Sequence, residues 1–124
     1  MLLREMKGGE MMDWELLFGA LGLVQESFSK LKEETLKALD DLCAGDWTYS
    51  VHCGGHAYRF SFANGYGASV IKHSGSYGHD EDLWELAVLD STGDLCYDTP
   101  ITSDVLGWLS EEAVLAACDK IAQL

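Results

Sequence analysis

The hydrophobic period changes at Gly45, from helical to strand spacing, and that change constrains the fold more than any single motif. Before it, Leu17, Leu21, Val24, Phe28 and Leu31 recur at three- and four-residue steps, and Leu39 and Leu42 continue the stripe. This is the pattern of an amphipathic helix. Asp13 is the expected N-cap and Gly45 the stop, with Lys30, Lys32, Glu33, Glu34, Lys37, Asp40 and Asp41 on the solvated face. Gly19 and Gly22 each cost about 1 kcal/mol relative to Ala in a helix interior. One long helix and two consecutive ones therefore fit equally well.

After Gly45 the period is two. Trp47, Tyr49, Val51 and Cys53 alternate with polar residues, Gly54-Gly55 interrupts, and Tyr58, Phe60 and Phe62 resume the alternation, as a hairpin with a two-residue turn requires. Asn64-Gly65 reads as a second primed turn, with both residues at positive φ. Tyr66 to His73 and Leu83 to Asp90 read as the third and fourth strands, the latter apolar enough to lie centrally or under a helix. A short strand is expected over Leu95 to Asp98, ended by Thr99-Pro100 because Pro lacks a ladder donor. Ser103 or Asp104 can cap a helical turn through Trp108. Ser110 is the better cap, ahead of Glu111, Glu112 and a stripe of Val114, Leu115, Cys118, Ile121 and Leu124. The expected fold is α+β: an N-terminal helix or two, an antiparallel four- to five-stranded meander sheet, and a C-terminal helix. The 124 residues suit one domain, 12–124.

Residues 1–11 read as an extension or flexible start. Lys7-Gly8-Gly9-Glu10 back-translates to a purine-rich run like a bacterial ribosome-binding site, which leaves the natural start open between Met1, Met11 and Met12.

The acids are unevenly placed. The net charge is −13. Met1 to His79 holds ten acids and seven bases, a net of −3, whereas Asp80 to Leu124 holds eleven acids against Lys120 alone, a net of −10. Direct nucleic-acid binding and a polybasic membrane patch are excluded by that balance. No run approaches the roughly 20 apolar residues of a spanning helix, and the start lacks a secretory pattern. A cytoplasmic protein with reduced, mostly buried thiols at Cys43, Cys53, Cys96 and Cys118 is expected.

Motifs for chemistry are sparse. In His52-Cys53-Gly54-Gly55-His56, Cys53 and His56 are weak candidates for a metal or thiol site, but no partner pair exists and the hairpin turn already explains the glycines. An electronegative chain raises rather than lowers a thiol pKa. No cofactor and no catalytic residue are expected. The loop His73 to Asp82, with glycines, Tyr77, His79 and the acids Asp80, Glu81 and Asp82, is the longest between strands and a candidate binding segment. Trp14, Trp47, Trp84 and Trp108 read as core residues.

Four segments carry a resemblance: Asn64-Gly65-Tyr66-Gly67-Ala68-Ser69-Val70-Ile71; Ser76-Tyr77-Gly78; Leu83-Trp84-Glu85-Leu86-Ala87-Val88-Leu89; and Cys96-Tyr97-Asp98-Thr99-Pro100-Ile101-Thr102 leading to Asp104-Val105-Leu106-Gly107-Trp108-Leu109. Together they resemble a group of small proteins encoded in bacteriophage and prophage genomes. The resemblance spans Tyr58 to Leu124 and implies no catalytic residues. It implies an accessory protein that binds and inhibits a host protein, with defence inhibitors of the anti-CRISPR kind among the analogues. Acids at Asp80, Glu81, Asp82, Glu85, Asp90, Asp94, Asp98 and Asp104, with Tyr77 and His79, are the expected binding residues. Strand residues two apart lie about 6.6 to 6.8 Å from each other, near a phosphate spacing, so acids on strands can imitate a nucleic-acid backbone. The expected partner is a host protein, including a nucleic-acid-binding one, and self-association stays open. The competing expectations are a small-ligand binder or sponge using the 73–82 loop, and the metal or thiol site at Cys53 and His56.

Overall fold

The computed structural model describes residues 6–7, 28–102 and 104–124, and within them Gly45 separates the first helix from the strands that follow it. Helix α1, Glu33–Leu42, buries Leu39 and packs Leu36 and Leu42 against the same core. Glu33 and Glu34 occupy its first turn, where unpaired N–H groups favour negative charge. At its end Ala44 and Gly45 both take positive φ, 54° and 77°. The Gly45 N–H returns to the Asp40 carbonyl at 2.9 Å and the Ala44 N–H to Asp41 at 3.4 Å, which is a Schellman closure.

The beginning of α1 departs from expectation. Residues 13–27, with the stripe Leu17 to Val24 and both glycines, lie outside the described residues, and Phe28–Lys32 is not helical. Its backbone groups are taken by distant partners: the Phe28 carbonyl accepts from the His56 ring at 2.9 Å, the Ser29 N–H donates to Asp82 at 3.3 Å, and the Lys32 N–H donates to Glu111 at 3.1 Å. Tertiary contacts override a helical periodicity here.

The sheet is an antiparallel meander in chain order: β1 (Met6–Lys7), β2 (Trp47–His52), β3 (Gly55–Ser61), β4 (Gly67–Lys72), β5 (Trp84–Leu89) and β6 (Leu106–Leu109). The fold is α+β. The two residues of β1 fall in the stretch read as an extension and pair with Tyr49 and Thr48. Trp47, Tyr49, Tyr58, Phe60, Val70 and Trp84 point from alternate strand positions into a core that α1 closes with Leu39. Helix α2, Glu111–Ala122, closes it with Val114, Ala117, Cys118 and Ile121. Ser110 caps α2 as expected, its hydroxyl accepting from the Ala113 N–H at 3.2 Å. On the other face Ser50, Ala57, Ile71 and Glu85 align across four strands, next to a row of Thr48, Arg59, Ser69 and Ala87.

Three local expectations are corrected. The β2–β3 turn lies one residue earlier than Gly54-Gly55: Cys53 and Gly54 take positive φ (49° and 76°), while Gly55 pairs with His52. Gly55 is needed for another reason, since a Cβ there would stand 2.0 Å from the Lys72 carbonyl oxygen. In the β3–β4 turn only Gly65 has positive φ (93°), because Asn64 instead accepts the Tyr66 N–H at 3.0 Å with its side chain. The strand expected over Leu95 to Asp98 shrinks to one bridge, Leu89 to Leu95, and one further bond from Cys96 to Val88. The chain then leaves and rejoins the same edge of β5 as β6, which replaces the helical turn expected through Trp108.

Candidate functional site

The way β6 rejoins β5 creates an exposed pair of stacked aromatic rings. Trp84 pairs with Leu109 and Leu86 with Leu106, so Glu85 faces both Gly107 and Trp108 across a bulge. Trp108 sits at φ 54°, a left-handed conformation that bulky residues adopt at a cost of about 1–3 kcal/mol. Its ring is 56% exposed and stacks on Tyr77, equally exposed, with centroids 5.6 Å apart and planes 24° from parallel. Two glycines allow the approach. A Cβ on Gly107 would meet the Tyr77 Cβ at 2.7 Å, and one on Gly78 the Trp108 Cα at 2.9 Å. The Tyr77 N–H donates to Glu85 Oε1 at 2.8 Å, and the Trp108 N–H to the Tyr77 carbonyl at 3.4 Å. Trp108 thus leaves the core role expected of it, whereas Trp47 and Trp84 are buried and Trp14 lies outside the described residues.

The loop 73–82 that presents Tyr77 is closed on itself. The Ser76 hydroxyl accepts the His73 N–H, the His79 Nδ1 lies 2.6 Å from the Ser76 carbonyl, and a single 3-10 turn spans His79–Glu81. Its far end is stapled to the sheet. Lys72, 1% exposed, pairs with Asp82 at 2.9 Å and lies 4.4 Å over the Trp84 ring, while Asp82 also accepts from the Ser29 hydroxyl at 3.0 Å. Partial burial works against the charge on Asp82, but the bonds from Lys72 and Ser29 outweigh it and hold the carboxyl below its ordinary range.

The expected binding acids are not gathered into one patch. Tyr77, His79, Asp80, Glu81 and Glu85 share the start of β5, and Asp82 is turned to Lys72. Asp90 and Asp94 lie past the other end of that strand, and five residues at about 3.3 Å each separate Glu85 from Asp90 by about 17 Å. Asp90 is structural: it accepts from the Thr92 hydroxyl at 2.6 Å and from the Thr92 and Asp94 N–H groups, and the Thr92 bonds hold its carboxyl below the ordinary range. Asp98 accepts from the Cys96 thiol at 3.0 Å, and Asp104 is exposed ahead of β6. Of the eleven C-terminal acids, Glu85 alone lies within a strand, so a phosphate-spaced ladder of strand acids is not what the surface presents.

Cys53 and His56 are separated by the hairpin. Cys53 is exposed at the turn, whereas His56 is 2% exposed and has both ring nitrogens engaged, with the Tyr49 hydroxyl at 2.6 Å and the Phe28 carbonyl. The imidazole that does approach the tip is His73, whose ring meets that of His52 at 4.9 Å; burial, then the neighbouring His52, lowers its pKa. Among the described residues no three His, Cys, Asp or Glu side chains form a metal-holding group. Cys43 and Cys118 are buried, and desolvation pushes their thiols up to about 11 and about 12. Two open grooves, about 430 and about 390 Å³, lie beside Arg59 and Thr92 and beside Ile101 and Ala113, and neither is lined by residues 73–82.

Compared with protein-family models, curated proteins and solved structures, the chain has no significant match. None of the described helices is long and apolar enough to cross a membrane. The residues that sequence reasoning passed over are Trp108, Lys72 and the Phe28–Ser29 strap. A signal for Trp108 was present in Gly107-Trp108-Leu109, where two adjacent large apolar residues after a glycine break strict alternation, as a bulge does. Nothing in the sequence marks Lys72 as buried.

Proposed function

We propose that this is a non-catalytic binding protein that docks through its acidic C-terminal part on a cationic surface of another protein. In the phage setting that the segments from Asn64 to Leu109 suggest, that partner is a host protein, one acting on nucleic acid among them, and occupancy blocks it. One observation carries the reading. Between Lys72 and Lys120 there is no Lys or Arg, and Asp80, Glu81, Asp82, Asp94, Asp98, Asp104, Glu112 and Asp119 are all exposed there. A field of one sign accelerates encounter with an opposite surface and repels nucleic acid and anionic lipid.

The test is capture of partners from a bacterial lysate at about 50 and about 500 mM NaCl, where screening shortens from roughly 14 to 4 Å, with wild type and an Asp80→Asn/Glu81→Gln/Asp94→Asn/Asp104→Asn variant. A protein retained by the wild type at low salt, released at high salt and missed by the folded variant supports docking. Retention indifferent to both changes overturns it. The ligand-binding reading of the 73–82 loop predicts instead a melting shift with a small molecule and no macromolecular partner.

A further inference from the structure

Among the described residues, Tyr77 and Trp108 are the two most exposed of the large apolar side chains. Folding does not account for the second of them: Trp108 occupies a left-handed backbone position suited to Gly or Asn, and its ring gains little burial there. What the bulge achieves is a second aromatic ring beside Tyr77, facing solvent on the sheet's outer strand. The bulge also interrupts the free edge of β6, which disfavours addition of a strand from a second copy.

The surroundings select the occupant. Asp80 and Glu81 are exposed on the same loop, Asp80 with one oxygen 2.9 Å from His79 Nε2, the Glu85 carboxylate is tied to the Tyr77 backbone, and no Lys or Arg lies between residues 73 and 119. Phosphates and anionic headgroups are repelled by such a field, and a neutral ligand takes no advantage of it. A guanidinium gains from both parts, stacking on an aromatic face and pairing with carboxylates. We propose that Tyr77 and Trp108 form a plate on which an arginine side chain of a protein partner stacks, with the neighbouring carboxylates neutralising it. This rests on the docking reading above and names its anchor.

The experiment is calorimetric titration at about 50 mM NaCl with an acetylated, amidated (Arg-Ser)4 peptide and its Lys counterpart, using wild type, Trp108→Asn, Tyr77→Ser and Asp80→Asn/Glu81→Gln. Wild type is expected to bind the arginine peptide about fivefold more tightly than the lysine peptide. Trp108→Asn, whose melting temperature is expected to equal or exceed that of wild type, abolishes that preference, and Tyr77→Ser reduces it. Equal binding of the two peptides by wild type, or an arginine preference that survives Trp108→Asn, overturns the plate. If Asp80→Asn/Glu81→Gln then weakens both peptides equally, acidic docking stands without it. Binding of neither peptide overturns the plate, as does Trp108-dependent binding of anionic vesicles or a neutral oligosaccharide in their place.

Discussion

Gly54 and Gly55 are adjacent and read on sequence grounds as one turn, yet they are required for different reasons. Gly54 has open space around a hypothetical Cβ but a φ of 76°, so Gly54→Ala pays only the left-handed penalty, about 1 kcal/mol. Gly55 lies against the β4 backbone, where a Cβ would stand 2.0 Å from a carbonyl oxygen, so Gly55→Ala is expected to cost about 3 kcal/mol. Denaturant unfolding of the two variants separates the effects. The cysteines differ in the same residue-by-residue way. Iodoacetamide on the native protein is expected to label exposed Cys53 first and Cys96 more slowly. Cys96 is half-buried, and the bond to Asp98 raises its pKa. Cys43 and Cys118, buried and pushed up to about 11 and about 12, react only on unfolding. Peptide mapping by mass spectrometry reads the order. Spacing alone distinguishes neither pair, because a residue's neighbours across the sheet are absent from its sequence window.

At the scale of elements, boundaries set by local chemistry were legible and those set by distant partners were not. Ser110 capping α2 and the stop at Gly45 are local chemistry, carried by residues within a turn of the helix end. Ser110→Ala is therefore expected to destabilise by about 1 kcal/mol, and Ala44→Gly, which relieves a left-handed alanine, to stabilise by about 1 kcal/mol. Thermal unfolding checks both signs. The start of α1 and the identity of β6 were not legible, because each depends on a distant acceptor or strand: Asp82, Glu111 and His56 hold Phe28–Lys32 out of a helix, and β5 offers an edge to Leu106–Leu109. The staple of Lys72, Asp82 and Ser29 also has a pH signature. The folded-state pKa of Asp82 is depressed, so its contribution is complete above the ordinary carboxylate value and is lost as pH falls through the lower folded value. Asp82→Asn is expected to lower stability by about 2 kcal/mol at neutral pH by leaving Lys72 buried without its carboxylate. The difference from wild type narrows in acid, a convergence that unfolding curves across the acid range measure.

For the molecule as a whole, the net charge of −13 opposes compaction as well as inviting a cationic partner. Raising NaCl from about 20 to about 200 mM shortens the screening length from roughly 20 to 7 Å and is expected to raise the melting temperature by a few degrees. The same change weakens any complex made through the acids. Circular dichroism melts at both salt concentrations measure the first effect, and titrations the second. By itself the sequence determined the α+β class, the order of most elements, the Ser110 cap, the stop at Gly45 and the acidic balance. These follow from periodicity, turn chemistry and composition, which are properties of neighbouring residues. Tertiary structure alone decided that the acids divide between the two ends of β5, that Lys72 and His56 are buried, and that Trp108 faces outward on Tyr77. Each of those depends on which strand lies alongside, and a bulge of one residue reverses the face on which a side chain emerges.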